Sequence, residues 1–143
     1  MKRLLQLNAK TVVALFLVID IICAGAGMGV PIFCILFGFP LGWYISKRIF
    51  ILTGHSATTN SRILKYSLLA AAFTFLMMLV IWGYAILRFF DPSFDFENFG
   101  HPFILYDPEI SFYGWMVLMI VISPFLQLLG TIFAAFITLI KMK

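Results

Sequence analysis

The sequence predicts an all-α integral membrane bundle of four transmembrane helices, with both termini in the cytoplasm. Three observations lead to this prediction: the composition, the length of the apolar runs and the distribution of charge. Hydrophobic residues make up 63% of the 143 residues and charged residues only 11%, and the mean hydropathy is +1.07. Soluble domains are about 45–50% apolar and about 25% charged. The composition therefore excludes a soluble domain, and also a disordered chain, because disorder requires low hydrophobicity and high charge.

The apolar runs set the number of helices. A transmembrane helix needs about 20 mostly apolar residues. The hydrophobic residues, 63% of 143, are therefore enough for four spans and too few for six, and they leave no room for a separate soluble domain. We expect one domain over residues 1–143, with the first helix at about 8–27 and the second at about 31–51. A single helix over 12–50 would be about 58 Å long, nearly twice the hydrocarbon core. Three glycines and a proline between Gly25 and Pro31 predict a turn there instead.

The second half of the chain predicts two longer helices. The third is expected at about 63–90, after a polar loop at 53–62, and the fourth at about 112–140. The connection at 91–111 is the longest and carries five of the six acidic residues. We expect this outer loop to lie against the lipid headgroups with its aromatic rings toward the membrane, or else to form a surface for a partner. The rings in question are Phe94, Phe96, Phe99 and Phe103.

The charges predict the orientation. Four spans place the N-terminus, the 53–62 loop and the C-terminus on one side, together with nine of the ten basic residues. Basic residues are enriched on the cytoplasmic side, so both termini are expected in the cytoplasm and the protein in the cell membrane. A cleavable signal peptide is the alternative for the N-terminus, but an acidic residue within its apolar segment argues against it. The nine residues are Lys2, Arg3, Lys10, Lys47, Arg48, Arg62, Lys65, Lys141 and Lys143.

Asp20 is the acidic residue that this topology does not explain. It lies ten residues after Lys10, or about 15 Å into the membrane, where an ionisable group costs about 2.5–3.5 kcal/mol. It is therefore expected to face the bundle. One interpretation is a site that binds a proton or a cation; the other is a neutral carboxyl group that holds two helices together. Gln127, near the middle of the fourth helix, and Thr74, at a similar depth in the third, are its candidate partners.

Small and polar residues predict two packing faces. The fourth helix repeats such residues at helical spacing, which favours an interhelical contact and leaves a polar pathway as the alternative. The second helix repeats them at every fourth position, a pattern that permits close helix approach. Its partner is either another helix of the same chain or a second copy. Pro40 and Pro124 predict kinks. The faces consist of Ser123, Gln127, Gly130, Ala134 and Thr138 in the fourth helix and of Cys34, Gly38, Gly42 and Ser46 in the second.

The sequence contains no set of residues typical of an enzyme. There is no catalytic combination at matched depth, no phosphate-binding glycine loop and no metal-binding motif. We therefore expect no enzymatic activity, no cofactor and no metal. The basic residues follow the membrane topology and form no stripe on a soluble face, so nucleic acid is not an expected partner. The expected partners are the lipid bilayer and either a second copy of the chain or another membrane protein.

Four predicted spans, with Asp20 midway along the first in the segment Phe16-Leu17-Val18-Ile19-Asp20-Ile21, give an architecture that resembles the small multidrug resistance transporters. Those proteins have four short spans and an acidic residue midway along the first. They use glutamate within a local motif that this sequence does not reproduce, and their loops are short, unlike 91–111. The resemblance is one of architecture alone.

Two hypotheses for the function follow. The first is a non-enzymatic subunit or accessory of a membrane assembly that acts through helix–helix contacts, based on the small-residue faces and the lack of a catalytic set. The second is a small oligomeric transporter in which Asp20 binds a proton or a cation. Replacing Asp20 distinguishes the two, because only the second requires a group that titrates.

Overall fold

The computed structural model describes residues 8–25, 31–53, 57–91, 93–98 and 106–142, and the regular structure in these ranges is entirely helical. The all-α prediction is thus confirmed for this part of the chain. In order, the helices are α1 (Ala9–Gly25), α2 (Pro31–Thr53), α3 (Ala57–Leu87), a 3₁₀ turn (Arg88–Phe90), α4 (Pro108–Val117), a π-helical segment (Leu118–Ile122) and α5 (Ser123–Lys141). The last three join without a break. The centre of the predicted turn at 25–31, as well as Phe99 and Phe103, lies outside the described residues.

Among the described residues, three helices are long and apolar enough to cross a membrane: Ile32–Leu52, Thr59–Leu87 and Pro108–Lys141. The helix at the first predicted span is shorter. α1 has 17 residues, which corresponds to about 26 Å, against about 30 Å for a typical hydrocarbon core. Over its described residues α1 is thus slightly shorter than the core, and it is not among the three helices above.

α3 begins six residues earlier than the sequence predicts. The segment from Ala57 to Arg62 was expected in a polar loop but forms the first turns of the helix. These turns have two faces, since Thr59 is 1% exposed whereas Asn60 and Ser61 face outward. A polar helix end with one buried face resembles a loop in composition, which explains the difference.

The last helix begins at Pro108, four residues before the predicted start. Asp107 precedes it, and its carboxyl oxygen accepts hydrogen bonds from the backbone N–H groups of Glu109 and Ile110 at 2.9 and 3.1 Å. Aspartate is a preferred residue at this capping position, and proline is favoured at the first helical position because it needs no hydrogen-bond acceptor there. The Asp-Pro pair therefore sets the start of α4.

The closest helix contact joins α2 to α5 of the same chain. A Cβ atom on Gly38 would lie 2.8 Å from both the carbonyl oxygen of Gln127 and the hydroxyl oxygen of Thr131. A Cβ atom on Gly42 would overlap the backbone carbonyl of Thr131. From Gly38 to Gly42 on α2, the contact moves from Gln127 to Thr131 on α5, which is four residues forward on each helix. The two helices therefore run in the same direction, with their backbones in contact. The small-residue face of α2 is thus occupied by a helix of the same chain.

Two apolar clusters stabilise the molecule. The larger lies among α1, α2, α3 and α5. The smaller lies where the far end of α3 meets α4. Because α3 has 31 residues and α1 only 17, the longer helices extend beyond the α1–α2 pair. The larger cluster contains Val13, Phe16, Leu41, Ile45, Ile49, Ile63, Ala70, Ala135 and Leu139, and the smaller one Ala85, Phe112, Met116 and Ile120.

Phe94 and Phe96 of the outer loop contact Phe112 of α4. Their ring centroids lie 5.6 and 5.5 Å from the ring of Phe112, and 4.8 Å from each other. Phe112 is fully buried. These rings attach the described part of the outer loop to the start of α4. The expected contact of the loop with the headgroups stays a prediction.

The π-helical segment accommodates Pro124. Proline lacks an N–H group, and its ring collides with the carbonyl group four residues earlier in a regular helix. Here the backbone N–H of Ser123 donates to the carbonyl oxygen of Leu118, five residues back. The Ser123 hydroxyl donates to the same oxygen at 2.7 Å. The helix thus widens by one residue just before the proline. Pro40, in contrast, lies within an uninterrupted α2.

The α2–α5 contact predicts the effect of Gly42→Ala. The added methyl group meets backbone atoms that cannot rotate away, so the free energy of unfolding should fall by about 1–3 kcal/mol. The measurement is denaturant unfolding in detergent micelles, followed by far-ultraviolet circular dichroism. Gly83→Ala is the matched control, because nothing lies within 4 Å of a Cβ atom there. Equal stability of the two variants would contradict the described contact.

Candidate functional site

Asp20 lies inside the bundle and connects three helices. Its side chain is 2% exposed. One carboxyl oxygen, Oδ2, lies 2.9 Å from the hydroxyl oxygen of Thr74 on α3. The other, Oδ1, accepts a hydrogen bond from the Cys34 thiol on α2 at 3.2 Å. The carboxyl group therefore attaches α1 to both neighbouring helices.

The Thr74 hydroxyl has two acceptors within reach, namely Asp20 Oδ2 and the backbone carbonyl oxygen of Ala70 at 3.2 Å. A hydroxyl group carries a single proton. If Asp20 is ionised, that proton points to Asp20. If Asp20 is protonated, the carboxyl group donates to Thr74, and Thr74 donates to Ala70. The same geometry thus satisfies both protonation states without a helix movement.

No basic side chain forms an ion pair with Asp20 within the described part of the chain. The residues one helical turn away, Phe16 on α1 and Ala70 on α3, are buried and apolar. A charge in such surroundings is costly without an ionic partner. Two hydrogen bonds from neutral groups therefore provide the described stabilisation of this carboxyl group.

Gln127 is buried in the same region without hydrogen bonds from its side chain. It is 0% exposed, and neither its Nε2 nor its Oε1 atom has a partner in the described structure. Its Cγ atom lies 3.4 Å from the Cβ position of Gly38, so the side chain begins at the α2–α5 contact. An unsatisfied buried amide costs about 1–3 kcal/mol. The structure therefore places a free donor and a free acceptor in the core of the bundle.

The alignment of α2 with α5 places Cys34, Ser123 and Gln127 at similar depths along the bundle. Cys34 precedes Gly38 by one turn, and Ser123 precedes Gln127 by one turn, so Cys34 and Ser123 lie at matching heights. Side chains on a helix lean toward its N-terminus, which directs the Gln127 amide toward that height. α1, α2, α3 and α5 thus contribute to one buried polar layer, defined as Asp20, Cys34, Thr74, Ser123 and Gln127.

Apolar side chains close the polar layer on both sides. Met78 and Met119, one turn away along α3 and the last helix, are 1% and 2% exposed. The large apolar cluster that includes Phe16, Leu41 and Ala70 lies in the other direction. In the described conformation, the polar layer is thus enclosed within the bundle.

The structure brings two of the three candidate binding residues into direct contact. Asp20 and Thr74 are hydrogen-bonded, whereas no bond from Gln127 to Asp20 is described. Cys34, expected to be a packing residue, donates to Asp20. Ser46 is fully buried and donates to the carbonyl oxygen of Trp43 at 3.0 Å. Cys23 and Cys34 do not form a disulfide bond.

Thr131 is the residue that sequence reasoning missed. It contacts both glycines of α2 and donates a hydrogen bond to the carbonyl oxygen of Gln127 at 2.8 Å. The expected face of the fourth helix included Gly130 and Ala134 instead. A strict four-residue repeat through Ser123 and Gln127 leads to Thr131, so the spacing itself was the available signal.

The carboxylates of the outer loop stabilise its own turns. Asp91 Oδ1 accepts from both the backbone N–H and the hydroxyl of Ser93 at 3.0 and 2.6 Å. Asp95 accepts from the Asn98 side chain at 2.6 Å. These bonds favour the ionised forms and lower the pKa of Asp91 and of Asp95. At the end of α3, Arg88 pairs with Asp91 at 3.5 Å.

Comparison with known proteins finds no matching family model, no similar curated protein and no similar solved structure. The architectural resemblance to the small multidrug resistance transporters therefore rests on the position of Asp20 and on the expected number of spans. In the described residues the regular structure is all helical and includes three helices of membrane-spanning length, consistent with a multi-pass membrane protein.

The Asp20–Thr74 hydrogen bond predicts the effect of Thr74→Val. This change keeps the shape of the side chain and removes the hydroxyl group, so the free energy of unfolding should fall by about 0.6–1.7 kcal/mol. Chemical unfolding in micelles measures the difference. Thr138→Val is the matched control, because the Thr138 hydroxyl donates only within its own helix, to Ala134 at 2.7 Å. The same loss in both variants would show that the bond to Asp20 contributes nothing.

Proposed function

We propose that this chain is a four-span protein of the cell membrane in which Asp20 binds a proton or a small cation as part of a transport function. The observation that carries the proposal is a buried carboxyl group that has no basic partner in the described part of the chain and bonds only to the neutral groups of Thr74 and Cys34. An ionisable residue within a membrane bundle is a functional candidate because of its insertion cost.

The fourth span in this proposal is α1. Its 17 residues lie within the range of lengths, about 17–25, that transmembrane helices adopt. Asp20 links α1 to Thr74, which lies near the middle of the long α3. A helix joined at that depth to a spanning helix is expected to lie in the membrane as well. The distribution of basic residues then places both termini in the cytoplasm.

Cysteine labelling tests the fourth span. Cysteines are introduced singly at the exposed residues Asn8, Asn60 and Ser93, in a background in which Cys23 and Cys34 are replaced by Ala and Ser. A membrane-impermeant maleimide added to intact cells should label Ser93→Cys. It should label Asn8→Cys and Asn60→Cys only after permeabilisation. If Asn8→Cys reacts like Ser93→Cys, α1 does not cross the membrane.

The hydrogen-bond geometry supports a proton-binding role. Thr74 has an acceptor in either protonation state of Asp20, so gain or loss of a proton requires only a hydroxyl rotation. The oxygen atoms of Asp20, Thr74 and Gln127 are also the ligand type that hard cations prefer. Transport additionally requires access to the polar layer, and the apolar residues that enclose it would have to separate during a transport cycle.

Proteoliposomes test the transport role. Purified protein is reconstituted with a pH-sensitive dye inside, and proton entry is followed after a pH gradient is imposed, with and without a gradient of Na⁺ or of ethidium as an organic cation. Flux should exceed that of protein-free liposomes for the wild type and fall to that background for Asp20→Asn, which keeps the shape but cannot titrate.

Asp95→Asn is the matched control, because it makes the same change at an exposed position in the outer loop. It should leave the flux unchanged. Wild-type protein that is folded but gives no flux with any of these ions, or Asp20→Asn that transports normally, would refute the transport role.

A non-enzymatic subunit or accessory of a membrane assembly is the second candidate. The sequence argument for it weakens, because the glycine face of α2 contacts α5 of the same chain. A different observation favours it: α5 exposes apolar residues at the spacing of a helix–helix seam, which a second copy or another membrane protein would cover. Absence of flux in the test above would favour this candidate. The exposed residues are Phe125, Leu129, Phe133, Phe136 and Ile140.

A further inference from the structure

Lys47 and Lys141 line one cleft, near the C-terminal ends of α2 and α5. The cleft has a volume of about 330 Å³. Lys47 contributes to it from α2 and Lys141 from the last turn of α5. The two helices run in the same direction, so both ammonium groups lie toward one face of the membrane. The remaining lining residues are Trp43, Ile137, Thr138 and Met142.

This cleft has no acidic side chain to balance its charge. No Asp or Glu lines it, and the sequence has none between residues 21 and 90 or after residue 109. The Lys47 ammonium lies 5.1 Å from the centre of the Trp43 ring, which keeps it at the cleft. The carbonyl end of α5 carries about half a negative charge, which two ammonium groups outweigh. The cleft therefore favours an anion.

A separate apolar groove lies along the same α2–α5 contact. It has a volume of about 580 Å³ and is lined by Phe39 and Ile35 of α2 and by Gly130 and Phe133 of α5, among others. Phe39 precedes Trp43 by one turn, and Phe133 precedes Ile137 by one turn. The groove thus begins about 6 Å from the cleft, on the side toward the middle of the bundle.

We propose that the cleft and the groove together bind one anionic phospholipid. The headgroup phosphate lies between Lys47 and Lys141, and an acyl chain lies along the groove beside Phe39 and Phe133. Free phosphate would use the lysines but not the groove, and a neutral lipid would use the groove but not the lysines. Tryptophan at a membrane interface and basic pockets between helices are both typical of lipid headgroup sites.

Native mass spectrometry in a nonionic detergent tests the proposal, with phosphatidylglycerol and phosphatidylcholine of identical acyl chains as probes. The first lipid to bind should be phosphatidylglycerol. In Lys47→Gln/Lys141→Gln its dissociation constant should rise about 25-fold, or about fivefold for each lysine. Lys10→Gln/Lys65→Gln is the matched control, because it removes the same charge from exposed positions outside the cleft and should leave this constant unchanged.

A second measurement leaves the residues that line the cleft unchanged. In a Trp82→Phe/Trp115→Phe background, spin-labelled phosphatidylglycerol should quench Trp43 fluorescence more than spin-labelled phosphatidylcholine does. Equal binding of the two lipids, equal weakening in both double variants or equal quenching would overturn the proposal. Displacement of phosphatidylglycerol by an equal concentration of inorganic phosphate would also overturn it, since the ligand would then be free phosphate. Asp20→Asn should not affect either measurement, so this site stands apart from the transport role.

Discussion

A carboxyl group without an ionic partner, surrounded by apolar side chains, determines how the helices of this chain meet. Asp20 is 2% exposed and has no basic partner in the described part of the chain, so its stability at this position depends on hydrogen bonds from neighbouring helices. Thr74 and Cys34 provide these bonds from α3 and α2. The short first helix is thereby held against the centre of a helix nearly twice its length. The group that makes these bonds, Asp20, is the one buried acidic side chain in the described part of the chain.

The glycine contact between α2 and α5 makes this arrangement possible. Gly38 and Gly42 allow the two backbones to touch, and Thr131 occupies the space that side chains would otherwise fill. This contact fixes the heights of Cys34 and Gln127 relative to each other. At the other end of the same contact, it brings Lys47 and Lys141 to one cleft. A single close helix pair thus positions both the polar layer and the lipid site.

Composition and residue spacing were sufficient to predict a helical bundle, since long apolar runs allow few alternatives. They also identified Asp20 and Thr74, because depth along a helix follows from counting residues. Thr131 and the role of Cys34 were missed, since hydrogen bonds and close contacts depend on the rotation and register of neighbouring helices. The start of α3 was misplaced for a related reason: Thr59 becomes recognisable as a buried residue only when its neighbours are known.

Infrared difference spectroscopy tests most directly the proposed role of Asp20, in which its carboxyl group gains and loses a proton within the folded bundle. A protonated carboxyl group has a carbonyl stretching band that disappears on ionisation, and Asp20 is the one buried acidic residue in the described part of the chain. We expect such a band to titrate in the wild-type protein over the pH range in which it stays folded. The band should be absent from Asp20→Asn and present in Asp95→Asn. A wild-type spectrum without a titrating band assigned to Asp20 would contradict the claim and leave this residue a structural link between helices.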